Sequence, residues 1–376
     1  MINYKAEICK YIDENWNSSK IEREEFFSKL KKNKKICLFG AGGMGKDIAN
    51  YLSDIGITIN YFCDNNKNLH STNVYNDIKC ISIEELIKIK NDVSVIISTG
   101  HYDAILQQLE KLGFADVVVT PTRFVFTFKK YLDSIDCEYI KKKICELLDI
   151  VGDEKSKIIL LDIIKKWFMP ISQYQNYDYY KIESENQYFN EEVVKLSDNE
   201  ILVDVGAYDG DTIEQFLFLT NNMFDKIYAY ELDKDCYKKM QQNVSKLDKN
   251  IQEKIILNNI GAYNANETIT YSSNTASSSI NSHANEYGKV VKLSEHLGDN
   301  KVTFIKMDIE GSEMKALNGA EEIIKKYKPT LAICVYHDPE HFWQVPLYIK
   351  SLVPEYKIFI RHHSEFNVET VCYAVL

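Results

Sequence analysis

Asp204-Val-Gly-Ala-Tyr-Asp-Gly210 puts a carboxylate and two glycines between an apolar run, Ile201-Leu202-Val203, and a helix-like segment at 212–219. An acid closes a strand, the glycines make a turn, and a helix begins. Gly206 and Gly210 carry no Cβ, so a ligand can approach the backbone closely there. A carboxylate beside such a turn suits ammonium and hydroxyl groups better than phosphates. That chemistry points to S-adenosylmethionine rather than ATP, and so to methyl transfer.

Other polar residues fall at the ends of later strand-like runs: Glu231, Asn259-Ile-Gly261-Ala262, Asp308-Ile-Glu310-Gly311, Tyr336-His337-Asp338 and Arg361-His362-His363. In a doubly wound sheet these carboxyl ends share one edge, where ligands bind. Glu231 follows Asp204 by 27 residues. An acid at the end of a second strand can accept hydrogen bonds from two ribose hydroxyls; alone, it could equally cap the next helix.

Gly40-x-Gly42-x-x-Gly45 repeats the theme near the N-terminus, with Asp64 at the end of the following strand. Strand, glycine loop, helix and acid form the context of a dinucleotide fingerprint. A pyrophosphate would sit on the helix N-terminus. The loop suits NAD(P), a nucleotide-sugar, or a scaffold with no ligand. His101, at another strand end, could approach such a ligand or cap the following helix.

The elements that position these residues are legible from periodicity. Residues 1–32 read as an amphipathic helical segment. Residues 33–120 alternate strand and helix, which predicts a small Rossmann-like parallel-sheet domain. Residues 121–195 form a helical, Tyr-rich connector containing Tyr174, Tyr177, Tyr179, Tyr180 and Tyr188. Amphipathic packing explains such tyrosines, and stacking on a sugar is the alternative. From 196 to 376 alternation resumes with about seven strands, interrupted by a Ser/Asn-rich stretch read as a hairpin and loop. The fold class is therefore α/β.

Composition narrows the function. The 376 residues are 45% hydrophobic, ample for real cores, and 45 Lys and Arg against 55 Asp and Glu leave a net charge of −10. No basic field exists for a phosphate backbone, so nucleic acid is excluded as a partner. Nine scattered cysteines form no CxxC pair, which favours reduced thiols in a cytoplasmic protein over a structural zinc. The N-terminus is unlike a signal peptide, and no apolar run reaches the roughly 18 residues of a membrane span.

Residues 187–376 resemble the FkbM family of S-adenosylmethionine-dependent methyltransferases. The resemblance rests on Val203-Asp-Val-Gly-Ala-Tyr-Asp-Gly-Asp-Thr212, Tyr230-Glu-Leu-Asp233, Ile305-Lys-Met-Asp-Ile-Glu-Gly-Ser-Glu313, Leu317-Asn-Gly-Ala320 and Pro329. It implies the class I methyltransferase sheet of seven strands, the last antiparallel. It also implies S-adenosylmethionine as donor and usually a hydroxyl acceptor, often on a sugar or natural product. Carried over, Asp204, Gly206 and Gly210, with Ala207 and Tyr208 in the same turn, cradle the methionine part. Glu231 takes the ribose, Asn259 and Gly261 lie near the adenine edge, and Asp308 and Glu310 face the reacting centre. Separately, Ile36-Cys-Leu-Phe-Gly-Ala-Gly-Gly-Met-Gly45 with Phe62-Cys-Asp-Asn-Asn66 is similar to the N-terminal domain of bacterial sugar acetyltransferases that bind UDP-sugars.

Methyl transfer from a sulfonium is an in-line displacement accelerated chiefly by positioning. A sugar hydroxyl also needs a base. The candidates are His337, Glu310 and Asp308, His337 because its ordinary pKa suits neutral pH; a strand-end histidine can also serve only to bind backbone. Adjacent His362 and His363 point to opposite faces of their strand, so at most one could serve. Asp308, Glu310, His337 and Asp338 could alternatively hold a divalent metal, though no metal ligand is assigned on this basis. The expected partner is a small-molecule or glycan acceptor, and a homodimer stays open. The competing function is an NAD(P)-dependent oxidoreductase or nucleotide-sensing module centred on Gly40–Gly45.

Overall fold

The computed structural model describes residues 3–30, 34–99, 102–119, 135–169, 184–274, 277–280, 286–364 and 368–376. His101 and Tyr174, Tyr177, Tyr179 and Tyr180 lie outside them. Two compact units are present, one holding the strands before residue 120 and the other those after residue 200.

The first unit begins with a helix, Tyr4–Leu30, followed by β1 (Lys35–Phe39), β2 (Tyr61–Cys63), β3 (Asn73–Tyr75), β4 (Ile78–Ile81), β5 (Val93–Ile97) and β6 (Val117–Val119). They form one sheet in the order β3-β4-β2-β1-β5-β6. All neighbours run parallel except β3, which is antiparallel to β4. β1 and β5 are almost continuously apolar and buried, as strands covered on both faces must be. The β3–β4 hairpin was not anticipated. Its signal is the pair Asn76-Asp77, both at positive φ, the backbone that a two-residue primed turn requires.

The second unit comprises β7 (Ile201–Val205), β8 (Lys226–Tyr230), β9 (Ile255–Asn258), β10 (Gly261–Ala262), β11 (Glu267–Asn274), β12 (Ser277–Ile280), β13 (Glu286–Val291), β14 (Phe304–Met307), β15 (Thr330–Cys334), β16 (Lys357–His362) and β17 (Thr370–Val375). The main sheet runs β16-β17-β15-β14-β7-β8-β9. β17 is antiparallel to both neighbours, and the strands from β15 to β9 are parallel. This is the seven-stranded methyltransferase arrangement expected above. A smaller sheet, β10-β13-β11-β12, contains the anticipated hairpin.

Residues 143–160 pack with the second unit. Gly152 N–H donates to Ile358 O at 2.7 Å, and buried Arg361 pairs with Asp153 at 2.6 Å and Glu192 at 3.1 Å. Each unit has its own hydrophobic core against its sheet, around Phe189, Phe216, Phe224 and Phe304 in this unit and around Phe39, Leu86 and Leu109 in the first. No helix among the described residues is long and apolar enough to cross a membrane.

Candidate active site

β7 lies in the middle of its sheet, where strand order reverses between β14 and β8, the position at which a crevice opens. The chain leaves β7 through Gly206 at φ 77°. A Cβ there would stand 1.9 Å from Asp308 O, so only glycine lets the end of β14 pass. Gly206 and Ala207 N–H both donate to Tyr230 O, at 2.9 and 3.0 Å. Tyr208 N–H donates to Glu231 Oε2 at 2.9 Å, and Asp233 N–H to Glu231 Oε1 at 2.7 Å. The strand-end acid therefore locks the glycine turn while its carboxylate still faces the cavity. Burial raises the Glu231 pKa to about 7, against the pull of those two N–H donors.

Beneath the turn, Lys306 on β14 faces Asp204 on β7 at 3.0 Å, and both side chains are almost fully buried. Lys306 Nζ also donates to Gly206 O at 2.7 Å and lies 4.9 Å from the Tyr188 ring. Burial disfavours the ammonium, but Asp204 and Asp308 outweigh it and hold Lys306 charged. Asp204 thus serves below the turn and does not line the cavity, contrary to its expected contact with the methionine part.

One cavity runs along this edge. Its wall includes Gly206, Tyr208, Glu231, Gly261, Asp308 and Glu310, all expected near the site, Tyr188, one of the tyrosines for which sugar stacking was the alternative, and also Lys306, Tyr336 and Glu369, to which no role had been assigned. Three further expected site residues lie outside this wall. Ala207 is buried and supports the turn through its N–H. Gly210 caps the helix Asp211–Leu219 at φ 93°. Asn259 braces the chain behind Glu231, its amide donating to Glu231 O and Leu232 O at 2.8 and 3.2 Å. None of the three lines the cavity.

At the far end, Tyr188 O–H donates to Asp308 Oδ2 at 2.6 Å, and Tyr336 O–H lies 3.4 Å from both Asp308 Oδ1 and Glu369 Oε1. Gln187 donates to the other Glu369 oxygen. Burial, then Asp308, raises the Glu369 pKa. His337 Nδ1–H donates to Glu313 Oε1 at 2.8 Å, and Nε2 lies 3.3 Å from Asp308 Oδ1 and 3.8 Å from Glu310 Oε2. Burial works against a charged imidazole, but Glu313, Asp308 and Glu310 together raise its pKa to about 10. These carboxylates favour the charged imidazole, and Glu313 leaves only Nε2 turned towards Asp308 and Glu310. Asp338 accepts Glu340 N–H and stands apart from this group. His362 binds Thr370, and His363 binds Ser184 O and Tyr373, so neither reaches the cavity.

Backbone strain concentrates here. Among the described residues, six that are neither Gly, Asn nor Asp have positive φ. Four of them, Tyr188, Tyr208, Glu310 and Glu369, line this cavity. Each such residue costs of order 1–3 kcal/mol, a strain that gathers at functional sites.

The first unit repeats the turn but not its surroundings. Gly40 N–H donates to Cys63 O at 2.8 Å, Ala41 N–H to Asp64 Oδ2 at 2.9 Å, and Asn66 N–H to Asp64 Oδ1 at 2.8 Å. A Cβ at Gly45 would stand 2.0 Å from Gly40 O, whereas one at Gly42 would meet no described atom within 4 Å. Gly45 is needed by the fold, and Gly42 leaves room above the loop.

Comparison with known proteins agrees with this geometry. Residues 204–365 match the methyltransferase FkbM domain. Across nearly the whole chain, the structure is similar to the methyltransferase FkbM of Methylobacillus flagellatus KT. The two share 21% identity with a TM-score of 0.71, covering 91% of this chain and 90% of that one. An rRNA methylase from Streptococcus thermophilus overlaps less, at 17% identity and TM-score 0.32, covering 48% of this chain and 87% of its own. A SAM-dependent methyltransferase from Aquifex aeolicus gives 15% identity and TM-score 0.29, covering 47% and 84%. Residues 32–119 match a C2185-like N-terminal domain. No curated protein matches the chain.

Proposed function

We propose that the second unit transfers the methyl group of S-adenosylmethionine to a sugar hydroxyl, on a glycan or a nucleotide-sugar. The observation that carries this reading is the single cavity that joins Glu231 and the Gly206 turn to Asp308, Glu310 and Glu369. Glu231 presents a carboxylate for the ribose hydroxyls. The acidic edge favours the ammonium and sulfonium of the donor. At the other end, carboxylates and the hydroxyls of Tyr188 and Tyr336 offer the mixed donors and acceptors that a sugar requires.

The acceptor oxygen attacks the methyl carbon as the carbon–sulfur bond breaks, so most of the rate comes from alignment. Glu369 takes the hydroxyl proton: it faces the cavity and is largely buried, and its raised pKa brings it closer to neutral. Asp308, Tyr188 and Tyr336 orient the acceptor. In the first unit the Gly40–Gly45 loop, anchored by Asp64, binds the nucleotide of a nucleotide-sugar, with Gly42 as the point of close approach.

Calorimetric titration with S-adenosylhomocysteine tests the donor site, and the absence of binding would overturn the reading. Incubation with S-adenosylmethionine and a panel of nucleotide-sugars, followed by mass spectrometry, tests the acceptor. The expected product gains the mass of one methylene. Glu369→Gln should lower kcat about 10²–10⁴-fold and leave S-adenosylhomocysteine binding intact.

A further inference from the structure

We propose that His337, Asp308 and Glu310 form a divalent-cation site at the acceptor end of the cavity. The His337 side chain is 7% exposed, yet its Nε2 makes no hydrogen bond. That nitrogen points between two carboxylates, at 3.3 Å from Asp308 Oδ1 and 3.8 Å from Glu310 Oε2. Ligand atoms on one ion at bond lengths of about 2.1 Å stand about 3 Å apart when adjacent. The Glu310 side chain must therefore swing towards Asp308 to close the set.

The imidazole is already fixed from behind. Fully buried Glu313 accepts Nδ1–H at 2.8 Å, and the same oxygen accepts Ile309 N–H at 3.0 Å. A carboxylate that orients a histidine and makes its other nitrogen more basic is the usual outer partner of a metal-bound imidazole. Asp308, Glu313 and His337 already bring their ligand atoms within 4.8 Å of one another. Left-handed Glu310 and Gly311, at φ 51° and 93°, turn the chain sharply after β14, in the stretch that carries Glu310. Two oxygens and one imidazole nitrogen suit magnesium, manganese or zinc. The ion supplies at Nε2 the positive charge that a proton otherwise supplies, so ion and proton exclude each other. Asp308 and Glu310 also line the cavity, so remaining coordination positions are open to an acceptor oxygen. That last role rests on the methyl-transfer reading; ion binding does not.

Manganese titration of chelator-treated protein, followed by electron paramagnetic resonance of free Mn²⁺, tests the site. The expected result is one saturable ion per chain, bound at least about 10-fold more weakly by Glu310→Gln or Asp308→Asn. Asp338→Asn, next to the cluster but outside it, should bind as the parent does. Glu310 is partly exposed, so Glu310→Gln remains informative if Asp308→Asn folds poorly. No saturable binding, or binding unchanged in Glu310→Gln, would overturn the proposal. S-adenosylhomocysteine binding measured on the same samples separates the claims: its failure counts against the donor site, while the manganese result stands alone.

Discussion

The two glycine turns share one backbone design and differ in what lies beneath it. In each, the first turn N–H donates to the last carbonyl of the next strand, Cys63 O or Tyr230 O. In each, a later turn N–H reaches an acid just beyond that strand, and the second carboxylate oxygen accepts an N–H two residues further on. The third strand also answers in kind. Ser98 Oγ donates to Gly40 O at 3.0 Å, where Lys306 Nζ donates to Gly206 O at 2.7 Å. The contrast lies one step back along the strands. Leu38 faces Ile96 across β1 and β5, whereas Asp204 faces Lys306 across β7 and β14. The turn is thus a generic nucleotide-fold device. Among the described residues, the charge pair beneath the turn is found in the second unit, as are the acids at 308, 310 and 313 beyond it.

The largest expected effect tests whether the two acids are equivalent. Glu231→Ala should weaken S-adenosylhomocysteine binding by about 10²–10⁴-fold, because two charge-assisted hydrogen bonds are lost. Asp64→Ala should leave that affinity unchanged, and calorimetry would show either. Equal losses from both would break the distinction between the units.

The buried pair comes next. Lys306→Ile leaves Asp204 uncompensated and should cost about 3–5 kcal/mol in urea denaturation. Adding Asp204→Leu converts the pair to the Leu38–Ile96 arrangement and should restore most of that stability. If the double variant is no better than the single one, the ion pair is not the element that distinguishes the turns.

A smaller, graded effect follows from Glu231. Its folded-state pKa of about 7 exceeds the ordinary 4.5. The folded state therefore binds this proton more tightly than the unfolded chain does. The associated stability is fully present below about pH 4.5 and is lost as pH rises through about 7. Donor binding should run the opposite way and strengthen as the carboxylate ionises. Glu231→Gln should flatten this part of both profiles, as followed by denaturation and calorimetry between pH 4 and 8.

Smallest of all, Gly42→Ala should change stability by less than about 1 kcal/mol, since its φ of −79° suits any residue and a Cβ meets open space. Loss of nucleotide-sugar binding in this stable variant would assign a ligand to the first turn. A large stability loss instead would make Gly42 structural.

The parallel core of the first sheet, the seven strands of the second unit's main sheet and the two glycine turns were legible in the sequence, because buried parallel strands read as apolar runs closed by Gly or an acid. Tyr208, Glu231, Asp308 and Glu310 were legible for the same reason, as residues at strand ends. Lys306 could have been found as a charge inside the apolar run Phe304-Ile-Lys-Met307, and its register opposite Asp204 names its partner. Glu369 could not, and Tyr188 could be read only as one of several tyrosines, none singled out. They stand far from the motifs in the chain and reach the cavity through left-handed backbone that no periodicity encodes.

The sequence by itself determined the α/β class, the order of elements and the edge at which polar residues gather. It did so because hydrophobic period and glycine placement act locally. Tertiary structure alone decided which of those residues face the cavity and which support it. It set Asp204, Ala207, Gly210 and Asn259 into the framework and surrounded His337 with carboxylates that favour its charged form. Those outcomes depend on burial and on charges brought close by strand pairing, quantities that exist only once the chain has folded.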